Sequence, residues 1–213
     1  MIIQLLIEYD GVDFVGWQRQ PTGPTVQAIL EDALALVNGC KTTVYGASRT
    51  DSGAHARGQV AIFDTKKNIE PWRWAFILND HIPRSIRVLV SREAPEGFHP
   101  QKDAVEKEYE YVILNRHQPS ALDRRVYFVP RPLDWECVRR AMRHFIGTHD
   151  FVAFQGAKAE IKSTVRTVSH FALIDRGDGF FALRIRGNGF LKQMVRTIAG
   201  TLVEVGLGKR PES

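Results

Sequence analysis

The apolar positions of this chain fall into short runs with two different periods. Ile2 to Tyr9 is a brief run rich in bulky apolar residues and reads as a strand. Val26, Ile29, Leu30, Ala33, Leu34 and Val37 recur at helical spacing, which predicts a helix over 25–38 with Thr25 as N-cap and Gly39 just past its end. A strand near Val60–Asp64, a short helix near Trp72–Leu78 and a strand near Ile86–Val90 follow. The order then recurs. A strand at Tyr109–Leu114 precedes a helix that opens on Asp134 as N-cap, with Leu133 and Val138 placed as a hydrophobic staple, and that ends near Gly147. Strands at Val165–Ile174 and Phe180–Arg186 are joined by the turn Asp175-Arg176-Gly177-Asp178-Gly179. A last helix is predicted over Phe190–Val205. Phe190, Met194, Ile198 and Leu202 form its apolar stripe, and Lys192, Arg196 and Gly200 are spaced four apart on the other side.

Each half is therefore a strand–helix–strand unit with further strands and a second helix. This predicts an α+β fold of two similar halves, each a mostly antiparallel sheet backed by helices. The pattern breaks at Pro100-Gln101-Lys102-Asp103, so the expected domains are 1–103 and 104–213, with a ligand in the cleft between them. The chain has 213 residues, 44% hydrophobic and 25% charged, which is ordinary for a globular protein. No stretch approaches the roughly 20 apolar residues of a membrane helix. The N-terminus lacks a basic n-region and a cleavage site, so the cytoplasm is the expected compartment. Cys40 and Cys137 lie far apart and make no CxxC motif, so no disulfide or redox centre is expected. Net charge is +5, unevenly spread: residues 1–103 balance at −1 and residues 104–213 at +6. A basic half suits a phosphate-rich partner, because cationic side chains release condensed counterions on binding.

The candidate chemistry concentrates between Gly46 and Val60. Asp51 stands two residues after Arg49 and two before Gly53, with His55, Arg57 and Gln59 close behind. Local chemistry alone makes Asp51-Ser52-Gly53 a turn. The flanking cations also let such a segment present a carboxylate to a polyanion. Trp17-Gln18-Arg19-Gln20 lies in the loop between the first strand and helix. There an exposed Trp beside Arg suits base stacking and phosphate contact, while a buried Trp would close the end of a small core. Lys107-Glu108-Tyr109-Glu110-Tyr111 alternates as a half-buried strand with both tyrosines on one face, either as core aromatics or as groups that stack on a base or move a proton. Gly187-Asn188-Gly189 lacks the rest of a dinucleotide fingerprint or P-loop. The Arg176–Phe181 stretch lacks the first aromatic of an RNA-binding RNP1 motif and reads as a hairpin. His149 and Asp150 have no third ligand at zinc spacing, so no metal is expected.

The order Gly-x-x-Arg-Thr-Asp-x-Gly-x-His resembles the catalytic signature of the TruA family of tRNA pseudouridine synthases. The likeness runs through nearly the whole chain. It takes in Tyr9-Asp10-Gly11 with Phe14, Gly16, Trp17 and Gln18; then Arg49-Thr50-Asp51 through Gly58-Gln59-Val60, Asn79 with Pro83, and Phe98-His99. Lys107-x-Tyr109-x-Tyr111, Asp150-Phe151 with Phe154, and Arg166-Thr167-Val168 follow. Phe190-Leu191-x-x-Met194-Val195-Arg196, with Gly200, Leu202, Val205 and Gly206, completes it. The resemblance implies the pseudouridine synthase fold, its two halves joined into one extended sheet with a central cleft. It implies a homodimer that isomerises uridines in the anticodon stem-loop of tRNA, just 3′ of the anticodon, without cofactor or metal. Asp51 is then the catalytic aspartate, Tyr109 stacks on the target base and takes its C5 proton, and Arg196 pairs with Asp51. Arg49 holds the flipped nucleotide, and Trp17, Gln18, His55 and Gln59 are further candidate substrate contacts.

Two departures stand out. Pro100-Gln101 follows Phe98-His99 where the family tends to have Ala-Arg, and the chain stops at Pro211-Glu212-Ser213 where family members continue with a helix and a strand, which suggests a C-terminal truncation. Two other functions compete. A degenerate synthase would bind tRNA without turnover, but a pure binder has no need of Asp51, Tyr109 and Arg196 together. A glycosidase-like hydrolase needs two carboxylates at a set separation, and the motif offers one.

Overall fold

A computed structural model describes residues 1–157 and 162–212. The chain divides into two compact units, residues 1–104 and 105–213.

The N-terminal unit is built on a four-stranded antiparallel sheet. Its strands are β1 (Ile2–Tyr9), β2 (Tyr45–Gly46), β3 (Ala56–Asp64) and β4 (Ile86–Glu93), in the order β2-β3-β1-β4. Alternation along β1 sends Ile3, Leu5, Ile7 and Tyr9 to one face, where Ala61, Phe63, Ile86 and Val88 join them from the flanking strands. Two helices cover that face, α1 (Val26–Asn38) and α2 (Trp74–His81), and bury Val26, Leu30, Leu34, Trp74 and Leu78 against it. The ends of α1 follow the sequence. The Thr25 hydroxyl accepts the Ala28 N–H at 3.2 Å, and Gly39 closes the helix in the left-handed region at φ 71°. α2 starts later than expected, because Pro71–Arg73 forms a 3-10 turn first.

β3 begins at Ala56, four residues before the predicted start at Val60. A bulge between Ile7 and Tyr9 keeps the pairing going to Tyr9↔Ala56. Arg57, Gly58 and Gln59 break the apolar alternation there, which hid the strand. The second half of the Asp51 segment is thus anchored in the sheet.

The C-terminal unit holds a five-stranded sheet of β5 (Lys107–Asn115), β6 (Tyr127–Val129), β7 (Gly147–Asp150), β8 (Val165–Asp175) and β9 (Phe180–Gly187). The order is β6-β5-β9-β8-β7, antiparallel except for the parallel pair β5–β6. The helices are α3 (Trp135–Met142) and α4 (Met194–Gly206). Asp134 caps α3 by accepting the Glu136 and Cys137 N–H groups, both at 3.0 Å, and the staple residues Leu133 and Val138 are buried. α3 gives way to a 3-10 turn at Arg143–Phe145. α4 is shorter than predicted: Gln193 sits in the left-handed region at φ 60°, so Phe190 and Lys192 precede the helix, and the helical stripe is Met194, Ile198 and Leu202. An i, i+4 apolar spacing cannot tell the first helical turn from a loop that happens to bury a residue. The sheet's polar side carries a ladder of ion pairs in which Glu110 meets Arg176 at 2.5 Å and Arg184 at 3.1 Å, and Glu108 meets Arg186.

Candidate functional site

In the N-terminal unit the loop after β1 packs directly on the Asp51 segment, and glycines make the approach possible. A Cβ on Gly11 would lie 1.9 Å from the Ala54 carbonyl oxygen, and one on Gly16 would lie 2.7 Å from that of Thr50. Across this seam the Trp17 backbone N–H donates to the Thr50 carbonyl at 3.2 Å, and the Gly53 N–H to the Phe14 carbonyl, also at 3.2 Å. The Tyr9 hydroxyl meets the Thr50 hydroxyl at 2.8 Å. The far side of the segment is held by the Ala47 N–H on the Val60 carbonyl at 2.8 Å. Asp51 itself caps a tight turn: its carbonyl accepts the Ala54 N–H at 3.1 Å while Gly53 takes φ 75°. The carboxylate is half-buried, and within this unit no hydrogen bond or ion pair among the described residues engages it. The segment thus holds a carboxylate on a braced turn with Arg49 exposed two residues before it.

Trp17 and Gln59 turn out differently from the substrate contacts expected of them. The Trp17 indole is 2% exposed, tilted against Tyr9 at 6.2 Å between ring centres, and lies over Gly46. It offers no free face to a base. Gln59 is 6% exposed, and its side-chain N–H donates to the Ser48 carbonyl at 2.5 Å. Both brace the Asp51 segment from inside. Gln18 is exposed. His55 ties the two loops together: its Nδ1 lies 3.2 Å from the Gly11 nitrogen and 3.0 Å from Asp10 Oδ1. That nitrogen accepts from Gly11 when bare and donates to Asp10 when protonated. Tyr9, Thr50, Gly11, Gly16 and Gly53 were noted in the sequence only as parts of the family likeness. Their bracing role lies in pairs of distant segments, which linear spacing does not show.

In the C-terminal unit Tyr109 stands on β5 opposite Ile185, with its ring edge-on to Phe190 at 5.1 Å. The alternation of β5 puts Lys107 and Tyr111 on the same face. Lys107 is half-buried. Burial pushes its ammonium below the usual lysine range, and the nearby Arg166 guanidinium adds to this. Burial raises the Tyr111 hydroxyl against the opposing pull of the Arg196 charge. Arg196 is exposed in the first turn of α4. Tyr109 therefore shares its face of the strand with a cationic group, Lys107, a suitable setting for an aromatic that stacks on a nucleotide. Arg166 and Phe190 were noted in the sequence only as parts of the family likeness. Here they supply a charge and a ring edge. Among the described residues no cluster of three or more His, Cys, Asp or Glu side chains is arranged to hold a metal ion, and no helix is long and apolar enough to cross a membrane.

Known proteins resemble this chain over most of its length. A family model described as tRNA pseudouridine synthase matches residues 5–101 and 141–213. A tRNA pseudouridine synthase A of Acetivibrio thermocellus is 45% identical over 208 residues, covering 97% of this chain and 85% of the relative. Its namesake from a Geobacter species is 44% identical over 209 residues, 98% of this chain and 84% of the relative. That of Halalkalibacterium halodurans is 45% identical over 210 residues, 98% of this chain and 80% of the relative.

Proposed function

Because the chain belongs to the tRNA pseudouridine synthase family, we propose that it isomerises uridine to pseudouridine in the anticodon stem-loop of tRNA, with Asp51 as the essential catalytic group. The observation that carries this reading is the brace around Asp51: a single carboxylate on a turn held by hydrogen bonds to two separate parts of the chain. A catalytic group needs such fixed placement, since about 1 Å of misplacement can cost a hundredfold in rate.

The reaction breaks the bond from C1′ to N1 of uridine and forms one from C1′ to C5. C5 loses its proton and N1 gains one, so no oxidant or energy source is consumed. Asp51 acts ionised, on the sugar or on the ring. Arg196 pairs with it. Tyr109 stacks on the target base and takes the C5 proton. Phe190 lies edge-on to its ring. Arg49 and Gln18, both exposed, contact the flipped nucleotide and its neighbours. Flipping costs roughly a few kcal/mol, which stacking and phosphate contacts offset. His55 holds the Asp51 loop to Asp10 and Gly11. The family resemblance further points to a cytoplasmic homodimer, which light scattering on the purified chain checks.

The test is tritium release from an unmodified tRNA transcript labelled at uridine C5. The parent chain releases tritium and its Asp51→Ala variant does not, while tRNA affinity stays within about a few-fold because the phosphate contacts that dominate affinity are untouched. Release by the variant removes Asp51 from the mechanism. Binding without release by either chain identifies a tRNA-binding protein that does not turn over.

A further inference from the structure

Tyr45 is a large aromatic side chain left open beside the Asp51 segment. It lies on β2, an edge strand paired only with β3, and 54% of it is exposed. Its neighbours explain the orientation. Val44 is fully buried in the helix-side core, and Gly46 lies under the Trp17 ring, so alternation turns Tyr45 to the opposite face, the one no helix of this unit covers. Its direct cross-strand partner is Ile62, which stands on that same face.

One ring accompanies it. His99 lies 6.4 Å from Tyr45 between ring centres, tilted by 46°. His99 is itself held. Its backbone N–H donates to Asp103 at 2.7 Å, and its Nδ1 accepts the Gln101 N–H at 3.3 Å. The exposed Tyr45 ring and the His99 ring thus stand side by side at the sheet edge. From Tyr45 the chain runs through exposed Arg49 to Asp51, which sets an aromatic surface, a guanidinium and a carboxylate along seven consecutive residues.

We propose that Tyr45, backed by His99, is a stacking platform for an unpaired nucleobase of the RNA substrate, one next to the nucleotide being modified. The inference rests on the proposed function for the nature of the substrate and adds a base-binding position to it. Every base has a π-face, so the platform contributes affinity without reading sequence. A tyrosine suits the role better than an aliphatic residue because its rigid ring covers area at little entropic cost. Arg49, four residues on, is placed to take the phosphate that links the stacked base to the next.

The experiment measures the affinity of an unmodified tRNA transcript across a range of salt for the parent, Tyr45→Ala, Tyr45→Phe and Arg49→Ala. Loss of one stacked base weakens binding by about fivefold or more. Tyr45→Ala is expected to do this with an unchanged slope of log affinity against log salt, since no phosphate contact is lost. Arg49→Ala is expected to reduce the slope by about one. Tyr45→Phe keeps parental affinity, because stacking needs the ring and not the hydroxyl. Urea unfolding of Tyr45→Ala separates lost binding from lost folding, and Tyr45→Trp, which keeps an aromatic surface, retains affinity if the alanine variant is unstable. Affinity of a folded Tyr45→Ala within about twofold of the parent overturns the platform, since it is well below the loss of a stacked base. So does a fall in the salt slope of Tyr45→Ala, or failure of both the Phe and Trp variants to bind. Tritium release by the parent is scored separately, so a parent that binds RNA through Tyr45 without release refutes the isomerase and leaves the platform standing.

Discussion

Gly46 opens the Asp51 segment, and replacing it tests whether Trp17 holds that segment in place. A Cβ at Gly46 would lie 2.5 Å from two carbons of the Trp17 indole and 2.7 Å from its Nε1. Gly46 is not in the left-handed region, so Gly46→Ala costs nothing in backbone strain and everything in overlap. The indole is 2% exposed and tilted against Tyr9, so it cannot swing to solvent. Overpacking of this kind costs about 1–3 kcal/mol. Trp17→Ala alone leaves a cavity and costs about 3–5 kcal/mol. In the double variant the added methyl enters space the indole has vacated, and its penalty disappears. The cycle should therefore show a coupling of about 1–3 kcal/mol in the direction of mutual relief. Urea unfolding followed by circular dichroism gives the four stabilities. Tritium release gives the functional side: Gly46→Ala should lower kcat, because a displaced Trp17 drags the hydrogen bond from its N–H to Thr50, the residue before Asp51. Additivity within about 0.5 kcal/mol would refute the reasoning, since it would mean the two positions do not compete for the same space.

Two further predictions concern charge. If Arg196 pairs with Asp51, then Arg196→Ala lowers the rate of tritium release by about tenfold or more, because it leaves a carboxylate without its partner. A rate within about twofold of the parent argues against the pair. In the ion-pair ladder of the C-terminal sheet, burial pushes the Glu110 carboxyl up, but hydrogen bonds from Arg184 and Arg176 outweigh it and the net shift is downward. A depressed carboxyl stabilises the fold above its ordinary value of 4.5, and the contribution is lost as pH falls through the lowered folded value. Glu110→Gln should thus cost up to about 1 kcal/mol at pH 7, a modest figure because the pairs are partly exposed to solvent. The parent and variant stability curves should converge as pH falls below about 4. A constant offset from pH 7 to pH 3 would mean the side chain acts by packing and not by charge.

The helices and central strands were legible because their apolar positions face one packed layer. α1 shows this most fully: its six periodic residues, its threonine cap and its terminal glycine each appear in the structure as read. The short edge strands were not legible. β6 and β7 span 3 and 4 residues, and β7 reads Gly-Thr-His-Asp, with nothing apolar to alternate. Such strands exist because a neighbour offers a row of backbone partners, as β8 does for β7, and that information lies in another part of the chain. The early start of β3 has the same origin.

At the site, the kinds of residue were legible and their directions were not. Trp17 and Gln59 belong to the expected set by position, yet both point inward. Aromatic area gains more from burial against Tyr9 than from exposure, and a buried amide must find a partner, which Gln59 does at Ser48. Tyr45 went the other way, a large ring on an edge strand whose inward places were taken by Val44 and Gly46. The pair Tyr45 and Trp17 shows how the choice is made. Gly46 is small because the Trp17 ring lies over it, and alternation then forces Tyr45 out. Burying one aromatic in the Asp51 brace is what leaves the other free beside it. A chain with a larger residue at 46 would lose the brace and the orientation of the platform together.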